Sequence, residues 1–223
     1  MSIISTAIPE SKPKDIEPVI PLRGVSWQTY RKLMTEVGDD RGWRIAYDLG
    51  VLELRMPLLK HEAPKRLLEN FIETVADELE MEILEAGALT LEREDLSRAI
   101  EPDSCFYVQN ERRVRGKEEI KLPDDPPPDL AVESDYTSSS LNKLSIYASL
   151  GVPELWRYHN GKLLVYQLSK DSYQLSESSL LFPCLPVAEI SPLIEQSKKI
   201  GQRAVVRLFR KRIKEILANW SED

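Results

Sequence analysis

Little in this sequence can cross-link the chain or hold zinc. Two cysteines and two histidines among 223 residues argue against a disulfide framework and against a structural zinc cluster. Cys105 and Cys184 both sit in apolar surroundings and read as reduced core thiols. No apolar run is long enough to span a bilayer, and the N-terminus lacks the apolar region of a signal peptide, so a cytoplasmic protein is expected. Also missing are a Walker A loop, a G-x-G-x-x-G turn, a G-x-S-x-G elbow and an H-E-x-x-H helix. Nucleotide kinase, dinucleotide enzyme, serine hydrolase and metalloprotease readings therefore have no support. Positive charge is in deficit overall. A net charge of −7 speaks against indiscriminate coating of nucleic acid, while leaving room for a local basic surface.

What is present reads as one domain. Residues 1–21 are proline-rich and polar, a flexible arm in this reading, and residues 22–223 form a single domain. Helical spacing and Ser26 as N-cap predict a helix over Val25–Val37. Arg44–Leu54 reads as two strands pivoting on Gly50. A helix opens at His61-Glu62-Ala63-Pro64, with Leu67, Leu68, Phe71, Ile72, Val75 and Leu79 on one face. Ala88–Leu91 and Ser104–Val108 are strand candidates, and Glu111–Asp125 reads as a mobile loop. Three prolines launch the continuous apolar run Leu130–Val132, the pattern of a central strand. A helix over Leu141–Leu150 follows, with N-cap candidates in Thr137–Ser140 and Gly151 as its stop. Asn160-Gly161 between two β-rich runs signals a hairpin, and Tyr173–Leu175 extends it. A long helix over residues 197–220 closes the chain. Together these elements make an α/β domain around a mixed sheet.

Carboxylates bracket the strands. Asp103 follows a proline at one strand start and Glu133 ends the next predicted strand. If those strands pair, both acids reach one hard cation such as Mg²⁺, which prefers oxygen ligands. Such a cation polarises phosphate and acidifies water. Set against this, strand-flanking acids are commonly solvated charges. Lys143, ten positions after Glu133, is either a helper for a developing phosphate charge or plain helix surface. Asp135 shares the strand face of Glu133 by period two, as a further ligand or an acid held near the site, and Asp129, on the same face, reads as a cap for the turn after the proline run. His61 stands at a helix mouth, where the helix dipole favours anions, and reads either as a phosphate or water contact or as a plain helix-entry hydrogen bond. The last helix carries Arg203, Arg207, Arg210 and Lys211 beside its apolar stripe. It is either an amphipathic helix with a solvated outer face or a contact surface for phosphate backbone.

The segments GVLEL, His61-Glu62, Glu101-Pro102-Asp103 with CFYV, PPPDLAVE and LNKLSIYASLGVPELWRY, taken in order, resemble the Uma-two family of restriction-endonuclease-like proteins. That family lies within the PD-(D/E)XK nuclease superfamily. The resemblance spans roughly residues 22–215. It implies a restriction-endonuclease-like α/β (α+β) fold, in which a mixed central sheet is flanked by helices. A hairpin follows the core, and a long helix ends it. It also implies a hydrolase of the endonuclease type that uses Mg²⁺ or Mn²⁺, with nucleic acid as partner, DNA ahead of RNA, and a homodimer suited to cutting two strands. Carried over by position, Asp103 and Glu133 correspond to the metal-binding acids. The superfamily lysine falls on Asp135 here, so Lys143 from the following helix takes the lysine role. Glu53 and His61 match recurrent positions lining the same cleft. A second implication of the same residues is a nuclease fold that binds nucleic acid or a protein partner without cutting.

Overall fold

The structure, a computed structural model, describes residues 18–38, 41–56, 59–134 and 140–220. In chain order its elements are β1 (Val19–Arg23), α1 (Trp27–Val37), β2 (Arg44–Asp48), β3 (Val51–Arg55), α2 (Leu59–Glu78), β4 (Leu84–Gly87), β5 (Leu91–Arg93) and β6 (Arg98–Ile100). There follow β7 (Ser104–Tyr107), α3 (Glu111–Val114), β8 (Leu130–Ser134), α4 (Lys143–Leu150), β9 (Glu154–His159), β10 (Lys162–Ser169), β11 (Ser172–Ser176), α5 (Val187–Ile200) and α6 (Gln202–Trp220).

The strands divide into two sheets. One runs β1-β3-β2-β6-β5, and the other runs β11-β10-β9-β8-β7-β4. The first is antiparallel throughout. The second is mixed, because β8 and β9 run parallel through the crossover helix α4, as a βαβ connection requires. The expected mixed sheet is therefore present, joined by a smaller antiparallel sheet that the sequence reading had merged with it. Chain passes from one sheet to the other between β6 and β7, across Glu101-Pro102-Asp103.

Period-two alternation decides what each strand faces. Leu130 and Val132 of β8, with Trp156 and Tyr158 of β9, belong to the core covered by α2, α5 and α6. Ala131 and Leu155 point the other way, onto Ile146, Tyr147 and Leu150 of α4, which also meet Ala46, Leu91 and Ile100 of the antiparallel sheet. The far side of that sheet, through Ile45, Tyr47, Leu52 and Ala99, packs on Tyr30 of α1. Helix α4 is thus wedged between the two sheets.

Local signals match where turn chemistry is strong. Ser26 Oγ accepts the Thr29 N–H at 3.2 Å, capping α1. Asn160 and Gly161 take φ of 50° and 78°, and the hairpin register pairs His159 with Lys162. Gly151 ends α4 in the left-handed region, at φ 80° and ψ 22°.

Several boundaries need correction. Residues 19–21, placed in the arm, are strand β1 paired to β3; residues 1–17 lie outside the described residues. Ala88–Thr90 connect β4 to β5 rather than forming a strand. The loop over Glu111–Asp125 opens with the short helix α3. Helix α4 starts at Lys143, where Asn142 Oδ1 accepts the Ser145 N–H at 3.3 Å as the cap; of the caps expected in Thr137–Ser140, residues 137–139 lie outside the described residues. The long last helix over 197–220 is two helices. Gly201 sits at φ 90° and its N–H closes α5 on Ser197 O at 2.8 Å, so α6 begins only at Gln202.

Candidate active site

Strand alternation that turns Ala131 toward α4 turns Glu133 the same way. Glu133 is fully buried, and its partners come from α4. Lys143 Nζ donates to Oε2 at 2.8 Å and the Tyr147 hydroxyl donates to Oε1 at 2.6 Å. Lys143 and Tyr147 are one helical turn apart, so they meet the same carboxylate side by side. The ten-residue gap from Glu133 to Lys143 is closed by the turn into α4.

Asp103 reaches the same place from the crossover. Strands β7 and β8 pair antiparallel with Ser104 opposite Val132. The Asp103 N–H continues the ladder to Val132 O at 3.1 Å, bringing Asp103 beside Glu133. Its Oδ2 accepts the Ser134 N–H at 2.7 Å. Its Oδ1 accepts Arg55 Nη2 at 2.7 Å. The same Arg55 nitrogen lies 3.5 Å from Glu133 Oε2. Two carboxylates from different elements therefore converge on one cationic nitrogen. Burial pushes the Asp103 carboxyl up. The charges of Arg55 and Lys143, with the hydrogen bonds from Arg55 and Ser134, outweigh it and hold the group below the usual carboxylate range. Tyr147 is pushed well above the usual phenol range by its burial and by the adjacent Glu133 charge, so it remains a donor.

Arg55 escaped the sequence reading. It stands at the end of β3, opposite Arg44 of β2, with its side chain only 6% exposed. The one available signal was its spacing from Glu53, two residues earlier and so on the same face of the strand. Glu53 is buried as well. Its Oε2 accepts the N–H and hydroxyl of Ser140, at 2.8 and 2.6 Å, tying β3 to the segment that enters α4.

The remaining predicted residues divide. Asp135 lies outside the described residues, and His61 falls in the first turn of α2 with its side chain likewise undescribed. Asp129 is buried and caps a turn, though not the one after the proline run that the sequence suggested. It accepts the N–H groups of Val108 and Asn110 at 2.8 and 2.9 Å, fixing the turn after β7. Helix α6 is not at this site. Its buried Val205, Val206, Phe209 and Ile213 belong to the core on the opposite face of the mixed sheet. Arg210 binds Glu78 Oε1 at 2.6 Å and Asp77 Oδ2 at 2.9 Å on α2, and Arg203 donates to Asn70 Oδ1 at 2.7 Å. Lys211 faces Glu215 at 3.9 Å, and Arg207 is exposed. The structure thus uses two of these four basic residues to dock α6 on α2.

A groove of about 970 Å³ between α1 and the 117–124 loop is separate again, with Arg31 paired to Glu92 and Arg41 to Glu101 along its walls. None of Asp103, Glu133, Lys143 and Arg55 lines it.

The family model of the Uma2 proteins, described as "Putative restriction endonuclease", matches residues 27–193. The chain belongs to the Uma2 family. That match takes in every residue of the buried constellation, and the restriction-endonuclease-like α+β fold agrees with it. Among solved structures, one described as a "putative nuclease belonging to DUF820 from Anabaena variabilis ATCC 29413" is similar at 13% identity and a TM-score of 0.49. The likeness covers 82% of this Uma2 chain and 99% of that one. No curated protein matches the sequence.

Uma2 resemblance implies a divalent cation, and the donor set fits one. Asp103 Oδ1 and Glu133 Oε2 are hard oxygen ligands already focused on a single positive atom. Among the described residues no group of three or more His, Cys, Asp or Glu surrounds a common point. Of the described residues, Asp103 and Glu133 would supply two ligands, and water and phosphate suit the remaining positions of a Mg²⁺ shell. No described helix is long and apolar enough to cross a membrane.

Proposed function

We propose that this Uma2 protein hydrolyses phosphodiester bonds of nucleic acid as a Mg²⁺- or Mn²⁺-dependent endonuclease, with DNA the first substrate to test. One observation carries the reading: Asp103 and Glu133, from a crossover and a central strand, converge on a common cation position. A divalent cation held there supplies phosphate polarisation and a more acidic water. The chain's own groups supply the rest. Lys143, at 2.8 Å from Glu133 Oε2, is placed to face charge developing on phosphate. The Tyr147 hydroxyl fixes the Glu133 rotamer from the other side. Glu53, anchored by Ser140, sets how the start of α4 approaches the pair.

The test is cleavage of mixed DNA and RNA substrates in Mg²⁺, Mn²⁺ or EDTA, beside Glu133→Gln. Cleavage should require the metal and fall by a factor of about a hundred or more in the variant, the scale for loss of a group acting directly at the reacting centre. Equal cleavage by parent and variant would remove Glu133 from the chemistry. A second reading, binding without turnover, is favoured by Asp135 standing where the resemblance expects a lysine. In that case nucleic acid binds in EDTA, with affinity falling steeply as salt rises, and no substrate is cut. A homodimer would supply two such sites for a duplex, which sedimentation at several concentrations addresses.

A further inference from the structure

We infer that Arg55 is a resident cation that a divalent metal must displace, so that this side chain weakens metal binding and sets the metal concentration at which the site loads. The inference rests on the reading of Asp103 and Glu133 as the metal-holding pair.

The carboxylate oxygens are already taken. Oδ2 of Asp103 holds the Ser134 N–H, and Oε1 of Glu133 holds the Tyr147 hydroxyl. Oε2 of Glu133 receives Lys143, and Oδ1 of Asp103 receives Arg55. Of the four donors, only Arg55 lies in the gap between the acids, at 2.7 Å from one and 3.5 Å from the other. Of the two acids, Ser134 touches Asp103 alone, and Tyr147 and Lys143 touch Glu133 alone. A Mg²⁺ ion needs its oxygen ligands at about 2.0–2.1 Å. It cannot share that gap with a guanidinium nitrogen hydrogen-bonded to the same oxygen.

Charge points the same way. In the described contacts two carboxylates face two cations, Arg55 and Lys143. A divalent ion added without any departure would bring two further positive charges against these buried cations, and like charges in such surroundings repel strongly. Arg55 ends its strand and has a long flexible stem, so the guanidinium can leave while the backbone of β3 stays paired. Breaking its pairing has a cost, because a buried ion pair is expensive to open. That cost is subtracted from metal affinity.

Manganese binding by the full chain, without nucleic acid, measured by electron paramagnetic resonance of free Mn²⁺, tests this. Arg55→Met keeps the bulk and removes the charge. It should bind Mn²⁺ at least tenfold more tightly than the parent, and Arg55→Lys should fall between them. Affinity within twofold of the parent, or weaker, overturns the inference while leaving the metal site itself standing. Adding Glu133→Gln to Arg55→Met should remove the gain. If the gain survives, the ion binds elsewhere, and the reading of the carboxylate pair falls with the inference. Absence of Mn²⁺ binding in every protein has the same consequence. Should Arg55→Met fail to fold, the Nε–H nitrogen-15 signal of Arg55 in the parent gives the answer. It should move as Mg²⁺ saturates the Ser134 amide shift, and an Arg55 signal that stays fixed overturns the inference.

Discussion

Tyr147→Phe isolates one hydrogen bond with almost no change in shape. The ring is fully buried in the layer between the sheets, and phenylalanine fills the same volume, so no cavity term enters. What is lost is the 2.6 Å bond to Glu133 Oε1, whose one described donor is this hydroxyl. A hydrogen bond to a charged group contributes about 1.5–3 kcal/mol, and its loss leaves a buried carboxylate oxygen unsatisfied. The variant should therefore lose about 2 kcal/mol of stability. With a urea slope of about 2–3 kcal/mol/M, the unfolding midpoint falls by roughly 0.7–1 M. The cycle with Glu133→Gln sharpens the assay. Against a neutral amide acceptor the hydroxyl is worth about 1 kcal/mol, so Tyr147→Phe should cost about half as much in that background. Two results refute the reasoning: a parent that tolerates Tyr147→Phe without loss, or a loss of equal size in both backgrounds. The second would mean that the value of the hydroxyl does not come from the Glu133 charge.

Other expectations follow from the same contacts. Glu154 is fully buried and accepts Trp156 Nε1, Ser179 Oγ and the Leu180 and Leu181 N–H groups, at 2.5, 2.8, 2.6 and 3.1 Å. Glu154→Ala should cost about 3 kcal/mol by stranding those donors, and hydrogen exchange at the Leu180 and Leu181 amides should accelerate. Arg210→Ala should lower stability by only about 0.5–1 kcal/mol, because its pairs with Asp77 and Glu78 are partly exposed; nucleic-acid affinity should hold, since α6 lies across the mixed sheet from the acids. The lowered Asp103 value means that its charged form stabilises the fold at pH above the ordinary aspartate value of about 4. That contribution is lost as pH falls through the lower folded value. Acid titration of stability should fall more steeply below about pH 4 for the parent than for Asp103→Asn.

The sequence by itself determined whatever depends on neighbours a few residues apart. Ser26, Gly151 and Asn160-Gly161 each impose a local backbone geometry or supply a local bond, and α1, the end of α4 and the β9–β10 hairpin sit where those residues direct. Asp103, Glu133 and Lys143 stood out as candidates at strand ends and in the following helix, but spacing alone left each open to a plain surface reading, and it was the family resemblance that joined them. Gly201 drew no break in the sequence reading, because the basic and apolar periods run on across it and mask the division between α5 and α6. Tertiary structure alone decided the rest. Arg55, on a strand of the antiparallel sheet, and Asp103, in the crossover between the sheets, are 48 positions apart, so no local period links them. They meet because α4 must bury Ala46 and Ile100 on one side and Ala131 and Leu155 on the other. The same burial, by turning α6 to the opposite face of the mixed sheet, separated its arginines from the acids. Side-chain alternation names which residues share a face; only packing says which two faces are pressed together.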